Sequence, residues 1–327
     1  MAIFRRAASW WMAVVGVASV LACSSTAPRA RVVAARAMTE VPLTMRGDYA
    51  VVPVSVAGAE TPLLFILDTG AGGSVVSPAT RAMLPIDPSE SRFDTIVGAG
   101  GKSEMESVPL ASLRVGEFTV EGLRAVVIDL ADFKRSADEP YAGILGQDFL
   151  KRFDVEIDLP ANRMRLHRRG NGNAPQLGFN AGPPLRNVST SEDIGWLAFD
   201  ATVEGKPVRA LLDSGAPRTI VNWDAARAAG LSETSERVRK RERPTGGLGP
   251  ARAPTFDFDA TDLTVGSVAF GATPLRIANL QVFDLIGMGG KPGMLAGLDL
   301  LRRCAIFISY EDRTVRMCSR AEARATQ

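Results

Sequence analysis

The chain has 327 residues, of which 46% are hydrophobic and 23% are charged. This length suits about two domains at roughly 100–200 residues each, and the composition is that of a chain that buries a core, so disorder over the whole length is excluded. The 38 basic and 36 acidic residues nearly cancel, which argues against a partner recognised by bulk charge, such as nucleic acid.

The histidine content excludes further classes of catalytic site. His167 is the only histidine, so catalytic zinc sites with two or three His ligands are impossible. A Ser-His-Asp or Cys-His device would need His167 itself. This residue ends an alternating stretch before a loop rich in Gly and Asn, and we predict that it is exposed at a strand end. The sequence predicts no metal site and no cofactor.

The N-terminus has the features of an export signal. Arg5 and Arg6 precede residues 7–22, which carry no charge. Sixteen apolar or small residues suit the core of a signal peptide but are short for a membrane-spanning helix, which needs about 20. The segment ends in Val20-Leu21-Ala22-Cys23.

This ending resembles the lipobox of bacterial lipoproteins, in which the Cys is acylated and becomes the first mature residue. The resemblance implies a signal peptide over residues 1–22, a lipid anchor at Cys23 and a tether over residues 23–40. Ser24 follows, and in that family a residue other than Asp there favours the outer membrane. We therefore expect the membrane as a partner through Cys23, in the bacterial cell envelope facing the periplasm. The alternative is cleavage after another small residue, with Cys23 incidental.

The rest of the chain repeats itself, with four landmarks in the same order. Residues 65–71 (FILDTGA) match residues 210–216 (ALLDSGA) at an offset of 145. The helix-capping residues Ser77 and Asn222 keep that offset. Residues 113–116 (LRVG) match 263–266 (LTVG) at an offset of 150, and residues 144–152 (ILGQDFLKR) match 295–303 (LAGLDLLRR) at an offset of 151. Such order is hard to obtain by chance, so the chain contains two similar halves.

Each half is predicted to be mostly β. Strands are predicted, in chain order, at residues 51–56, 63–67, 123–128, 153–159, 197–203, 208–212, 263–270 and 305–310. One short helix is predicted after each D-[ST]-G-A phrase and another after each late Gly, Gly146 and Gly297. The predicted domains are lobes over residues 41–167 and 193–320, a linker over 168–192 rich in Gly, Asn and Pro, and a tail over 321–327.

Glycine-rich turns lie between the landmarks of both halves. Residues 97–102 (VGAGGK) and 245–250 (TGGLGP) predict hairpins with flexible tips. Neither has the Lys-[Ser/Thr] ending of a phosphate-binding loop, so that interpretation fails. The basic run over residues 236–243 is predicted to be a solvated loop, and contact with anionic lipid is the alternative.

Two cysteines lie near the C-terminus. Cys304 and Cys318 flank alternating residues with Glu311-Asp312 midway, which is a hairpin signal. The predicted envelope location is oxidising, and the two sulfurs are equally far from the turn. We predict a disulfide between them, and two free buried thiols are the alternative.

The paired Asp phrases predict chemistry. In each half an apolar strand ends in Asp68 or Asp213, and a hydroxyl residue and a Gly that permits a sharp turn follow. A pseudo-twofold pairing of the halves would bring the two carboxylates together, and such a pair holds one proton. The ionised member can act as a base on water while the protonated member binds a carbonyl. Such a pair of carboxyls can hydrolyse amides without His, Cys or metal.

The pattern D-[ST]-G-A after a hydrophobic strand, with hydrophobic-hydrophobic-Gly before a short helix, resembles the aspartic proteases, and the retropepsin-like bacterial aspartyl proteases most of all. The resemblance covers roughly residues 45–167 and 193–318. It implies a mostly β fold of two homologous retropepsin-like β-barrel lobes, related by a pseudo-twofold, with an active-site cleft between them. It also implies a peptide or protein substrate, and a monomer that is an internal pseudo-dimer.

The same resemblance implies roles for single residues. Asp68 and Asp213 would be the catalytic pair, and Thr69 and Ser214 would hydrogen-bond across the pseudodyad below them. The hairpins would be flaps that close over a peptide. The other residues implied are Gly70, Ala71, Gly215 and Ala216 beside the dyad, Gly98, Gly100, Gly101, Gly246 and Gly247 in the flaps, and Gly146 and Gly297 as structural glycines.

Ala71 and Ala216 also predict the working pH. Enzymes resembling pepsin often have a hydroxyl residue there that stabilises the charged carboxylate, so its absence implies an optimum nearer neutrality. The sequence favours an active single-chain endopeptidase because both Asp and both late Gly are present. The alternatives are an inactive relative that serves as a peptide-binding or scaffold lipoprotein, and lobes that each need a second chain.

Overall fold

A computed structural model of the protein describes residues 30–133, 140–169, 179 and 196–318, together with the backbone of residues 13–15, 18–20 and 185–186. Cys23, the predicted tail and most of the predicted linker lie outside these residues. In the described part of the chain, no helix is both long enough and apolar enough to cross a membrane.

The first lobe is built mainly of strands. These are Arg31–Ala34, Thr44–Arg46, Tyr49–Val56, Leu63–Leu67, Val75–Val76, Arg92–Gly98, Gly101–Val115, Phe118–Val127 and Gly143–Leu145. Its helices are Pro78–Met83 and Gln147–Leu150, with 3-10 turns at Pro88–Glu90 and Ala131–Phe133.

The second lobe repeats the arrangement. Its strands are Ala198–Val203, Lys206–Leu212, Ile220–Val221, Arg239–Lys240, Thr245–Gly247, Arg252–Ala253, Phe256–Ala260, Leu263–Val265, Val268–Ala269, Thr273–Ile277 and Gly293–Ala296. Its helices are Trp223–Ala228, Val282–Leu285 and Leu298–Leu301.

The two lobes share one strand pattern around the Asp phrases. Leu63–Leu67 pairs in parallel with Gly143–Leu145, and Lys206–Leu212 pairs in the same sense with Gly293–Ala296. In both lobes the second strand of this pair also lies antiparallel to the two-residue strand that follows the Asp loop. The prediction of a mostly β, two-lobed, retropepsin-like architecture is therefore confirmed.

The predicted helix caps lie where their side chains can satisfy free backbone donors. The Ser77 hydroxyl accepts a hydrogen bond from Thr80 N at 3.1 Å, and the Asn222 Oδ1 accepts one from Ala225 N at 2.9 Å. Each cap fixes the start of the short helix that follows an Asp loop.

A six-stranded sheet joins the lobes, a feature that the sequence did not reveal. Its strands are Met38–Pro42, Phe153–Asp158, Arg163–Arg168, Leu185–Arg186, Ile306–Ser309 and Thr314–Met317. The central pairing joins Phe153–Asp158 of the first lobe to Ile306–Ser309 of the second, so part of each lobe folds onto the other. Part of the predicted tether is folded. Strand Arg31–Ala34 lies within it and strand Met38–Pro42 crosses its end, and both pair with strands of the sheets.

The prediction that His167 is exposed is wrong. Its strand, Arg163–Arg168, lies inside the six-stranded sheet with a partner on each side, and His167 is only 6% exposed. Its Nε2 lies 3.6 Å from Glu156 Oε2, and its ring centroid lies 6.0 Å from that of Phe307.

The two C-terminal cysteines form a disulfide. Cys304 and Cys318 have their Cα atoms 4.7 Å apart. The bridge closes the hairpin of Ile306–Ser309 and Thr314–Met317, and so ties together the two strands that the second lobe gives to the shared sheet.

Candidate active site

The two Asp residues meet at the interface of the lobes, each at the end of its parallel strand pair. Asp68 is 1% exposed and Asp213 is fully buried. Each carboxylate lies against the glycine of the opposite loop. A methyl group at Gly70 would come within 2.7 Å of Asp213 Oδ1, and one at Gly215 would overlap the Asp68 carboxylate. Glycine is required at both positions because the carboxylates approach so closely.

Reciprocal hydrogen bonds beneath the carboxylates lock the two loops together. Thr69 N donates to Ser214 Oγ at 2.9 Å, and Ser214 N donates to Thr69 Oγ1 at 3.0 Å. The Thr69 hydroxyl then donates to Leu212 O at 3.2 Å, and the Ser214 hydroxyl donates to Leu67 O at 2.8 Å. Each hydroxyl therefore links its own loop to the strand of the other lobe.

Backbone donors orient each carboxylate. Gly70 N and Ala71 N donate to Asp68 Oδ1 at 2.7 and 2.9 Å, and Gly215 N donates to Asp213 Oδ1 at 3.0 Å. The Oδ2 atom of each Asp is buried and accepts no hydrogen bond from the described residues. One oxygen of each carboxylate is thus held by the loop, and the other is available for chemistry.

The environment raises the pKa of both carboxyls. Burial raises the pKa of Asp68 to about 7, although the backbone donors Gly70 and Ala71 act in the opposite direction. Burial and then the charge of Asp68 raise the pKa of Asp213 well above its usual range. Because the two groups are coupled, the pair titrates in two macroscopic steps. The pair as a whole therefore holds a proton at pH values where an ordinary Asp is ionised.

The late glycines let a helix start against each Asp loop. A methyl group at Gly146 would lie 2.5 Å from Gly73 O, and one at Gly297 would lie 2.5 Å from the carbonyl carbon of Arg218. Any larger residue would push the helix away from the loop, so both glycines are required for this packing.

The next residue of each helix anchors the loop directly. Gln147 N donates to Ala71 O, and Leu298 N donates to Ala216 O, both at 2.8 Å. At this position only the first lobe has a polar side chain, and Gln147 Nε2 donates to Thr69 O at 2.5 Å.

Sequence reasoning missed two residues that support the first Asp loop. Gln147 is one of them, because its position beside Gly146 gave no sign of a side-chain role. Trp196 is the other, and its Nε1 donates to Gly70 O at 3.1 Å from the start of the second lobe. No motif surrounds Trp196, and only the packing of one lobe on the other creates this contact.

The glycine-rich hairpins of the two lobes meet at their tips. Gly100 N donates to Leu248 O at 2.7 Å, and Ala251 N donates to Gly100 O at 2.8 Å. A methyl group at Gly100 would lie 2.6 Å from Gly249 O. Gly101 and Gly249 have φ angles of +108° and +106°, which only glycine adopts readily. Backbone hydrogen bonds therefore join the tips, and the Leu248 side chain packs against Gly98 beside them.

The tips also cross, so that each packs on the opposite lobe. Leu248 of the second hairpin joins an apolar cluster of the first lobe that includes Tyr49 and Ile96. Ala99 of the first hairpin joins the matching cluster of the second lobe, which includes Trp196. The cleft walls beside the dyad are consequently apolar on both sides.

Two β lobes that pair buried Asp residues across a pseudo-twofold define the class of aspartic proteases with a retropepsin-like fold. The sequence model of the Aspartyl protease family matches residues 52–149 and 199–300, one copy in each lobe. The chain therefore belongs to the aspartyl protease family. No curated protein matches it.

The raised carboxyl pKa values predict a pH-dependent stability. The usual Asp pKa is 3.8, so between pH values of about 4 and 7 the folded protein holds protons that the unfolded chain releases. The free energy of unfolding should fall as the pH rises through this window, by at most about 1.4 kcal/mol per pH unit for each proton held. The Asp68→Asn/Asp213→Asn variant should lack this part of the decline.

Urea denaturation at several pH values across that window tests the expectation. The control is Asp200→Asn, which makes the same substitution at an exposed strand position of the second lobe. Parallel stability profiles for the wild type and the double Asn variant would contradict the raised pKa values.

Proposed function

We propose that the protein is a single-chain aspartic endopeptidase in which Asp68 and Asp213 are the catalytic dyad. The observation that supports this most is the pairing of two buried carboxylates, each with one free oxygen, on loops locked by Thr69 and Ser214. The chemistry needs one ionised and one protonated carboxyl at the same time, and the coupled pair supplies that state.

In the proposed mechanism, Asp68 is the base and Asp213 is the acid. Asp68 takes a proton from a water whose oxygen attacks the peptide carbonyl carbon, and Asp213 donates its proton to the carbonyl oxygen. When the tetrahedral intermediate collapses, the carbonyl proton returns to Asp213 and the C–N bond breaks. Asp68 gives its proton to the leaving nitrogen, and both carboxyls regain their starting states.

The flap strands offer edges to an extended peptide. The backbone of Ala13–Val15 pairs in parallel with Thr245–Gly247, and that of Ala18–Val20 pairs antiparallel with residues 96–98. A twofold axis reverses the direction of one flap strand relative to its equivalent. A peptide that crosses the axis therefore runs parallel to one of these strands and antiparallel to the other. Both stretches belong to the predicted signal peptide. Once it is removed, the same edges of the flap strands can pair with the backbone of a substrate.

Two alternatives are less well supported. An inactive scaffold would not need the complete set of Asp, hydroxyl and Gly residues that both loops retain. A requirement for a second chain is disfavoured because both halves of the site come from one chain, whose lobes share a six-stranded sheet.

Replacement of either Asp should abolish the activity. We expect Asp68→Asn and Asp213→Asn each to lower kcat/KM on a peptide library by about 10²–10⁴-fold or more, the usual share of general acid–base catalysis. The double variant should be no worse than either single variant, because the two groups act as a unit. Near wild-type turnover in either single variant would contradict the assignment of Asp68 and Asp213 as the catalytic pair.

The pH profile of kcat/KM is a second readout of the same pair. Activity should fall as the pH drops below about 7, because Asp68 then becomes protonated, and should fall again at higher pH as the pair loses its shared proton. An optimum at strongly acidic pH would contradict the expected pKa of Asp68 but not the dyad.

Closure of the flaps should be needed for turnover. In Gly100→Val the new side chain would collide with Gly249 O, so the flap tips cannot meet and kcat/KM should fall about tenfold or more, with the melting temperature little changed. Glu104→Val is the matched control, because it places valine at an exposed position of the same hairpin. Equal turnover in the two variants would argue against a closing flap.

We infer that the protein is a lipoprotein of the bacterial envelope, anchored through Cys23. The supporting observation is the charge-free segment that ends in Val20-Leu21-Ala22-Cys23. Mass spectrometry of the mature protein should show an N-terminal, diacylated Cys23, and Cys23→Ala should abolish the lipid modification. A mature N-terminus at any other residue would refute the anchor while leaving the proposed peptidase activity intact.

A further inference from the structure

A polar pocket of about 290 Å³ lies beside the loop that follows Asp213. Three parts of the second lobe form it: the loop at Arg218 and Thr219, the strands below the second flap, and the start of helix Leu298–Leu301. Four arginines and three aspartates line this pocket, so one positive charge is left over when all are ionised.

Three of the four arginines are paired with acids. Arg239 lies 2.8 Å from Asp259, and Arg241 lies 2.6 Å from Asp257. Arg276 Nε lies 3.8 Å from the other Asp257 oxygen. The two aspartates balance only two of these three arginines, so the wall of the pocket that belongs to the flap base keeps one positive charge.

Arg218 is the remaining cation. It is partly exposed and forms no ion pair or hydrogen bond with any residue that the structure describes. The Oδ1 atom of Asp299 in the same pocket accepts hydrogen bonds from Thr219 N at 2.9 Å, from the Thr219 hydroxyl at 2.6 Å and from Leu300 N at 3.0 Å, so this oxygen is oriented by its own loop and helix and not by Arg218. The planar guanidinium of Arg218 is therefore available to a carboxylate, the group that it binds best in two-point geometry.

The first lobe has no counterpart to this cation. At the offset of 145 residues, Gly72 and Gly73 occupy the places of Pro217 and Arg218. The two catalytic loops are otherwise similar in backbone, so a charge on one side gives the two ends of a bound peptide different surroundings. Arg218 breaks the pseudo-symmetry on one side only.

Arg218 lies close to Asp213 along the chain. Arg218 follows Asp213 by five residues, a span of at most about 17 Å even if fully extended. A bound strand advances about 3.3 Å per residue, so about five substrate residues on either side of the cleaved bond span this distance, and these are the positions at which Arg218 could act.

We propose that this pocket binds an acidic side chain of the peptide substrate, with Arg218 as its partner, on one side of the cleaved bond. The contact selects Asp- or Glu-containing substrates and fixes the direction in which they lie. The proposal rests on the peptidase function proposed above and adds a substrate class to it.

Pairs of peptides that differ only by Glu or Gln test the proposal. Each pair varies one of the five positions on either side of the cleaved bond, and kcat/KM is measured for both members. The wild type should prefer Glu about tenfold or more at positions on one side only, the size of one hydrogen bond between charged groups. Arg218→Gln should bring the Glu/Gln ratio close to one, and Arg218→Glu should favour Lys at that position.

The matched control is Arg209→Gln, at an exposed arginine of strand Lys206–Leu212 outside the pocket, which should keep the wild-type ratio. A Glu preference that survives Arg218→Gln, or no Glu preference at all, overturns the proposal.

A failure of the proposed peptidase function can be distinguished from a failure of the proposed pocket. If the wild type cleaves no peptide, the proposed activity fails, and the same pairs are measured by fluorescence polarisation with the Asp68→Asn protein. Tighter binding of Glu peptides that Arg218→Gln abolishes would still support the pocket. Equal binding of Glu and Gln peptides would overturn it.

Discussion

Everything in the site depends on how two carboxylates are held together away from water. Two buried negative charges in contact would repel each other, so the lobes must be clamped by interactions that do not depend on that charge. The reciprocal bonds between the backbone and hydroxyls of Thr69 and Ser214 are that clamp. They are neutral and buried, so they lose little to competing water and keep the carboxyls close enough to share a proton.

Close approach also explains the small residues around the dyad. Gly70 and Gly215 leave room for the carboxylate of the opposite lobe, while Gly146 and Gly297 let a helix begin against each loop. The helices then hold the loops through Ala71 and Ala216 carbonyls. Each glycine therefore permits a close contact with another segment. The same positions are glycine in both lobes because the two Asp loops make equivalent contacts.

The lobes are similar in backbone and different in side chains. Leu248 packs at one flap tip and Ala99 at the other, and Arg218 stands where the first lobe has Gly73. The backbone must be similar because the dyad needs two equivalent loops. The side chains outside the dyad are under no such requirement, so they can give a single-chain molecule the polarity that a symmetric pair of identical lobes lacks.

The sequence by itself determined the two repeats, most of the predicted strands, the helix caps and the paired Asp phrases, because these are local patterns of hydrophobicity, turns and glycine that recur at similar offsets. The strand predicted at residues 263–270 was wrong, because it folds back on itself as Leu263–Val265 and Val268–Ala269. Tertiary structure alone decided which segments meet. The six-stranded sheet combines distant strands, and it buries His167, whose local sequence suggested exposure. The contact of Trp196 with Gly70 O, and the lack of a partner for Arg218 among the residues that the structure describes, likewise arise from packing between remote segments, which no short stretch of sequence encodes.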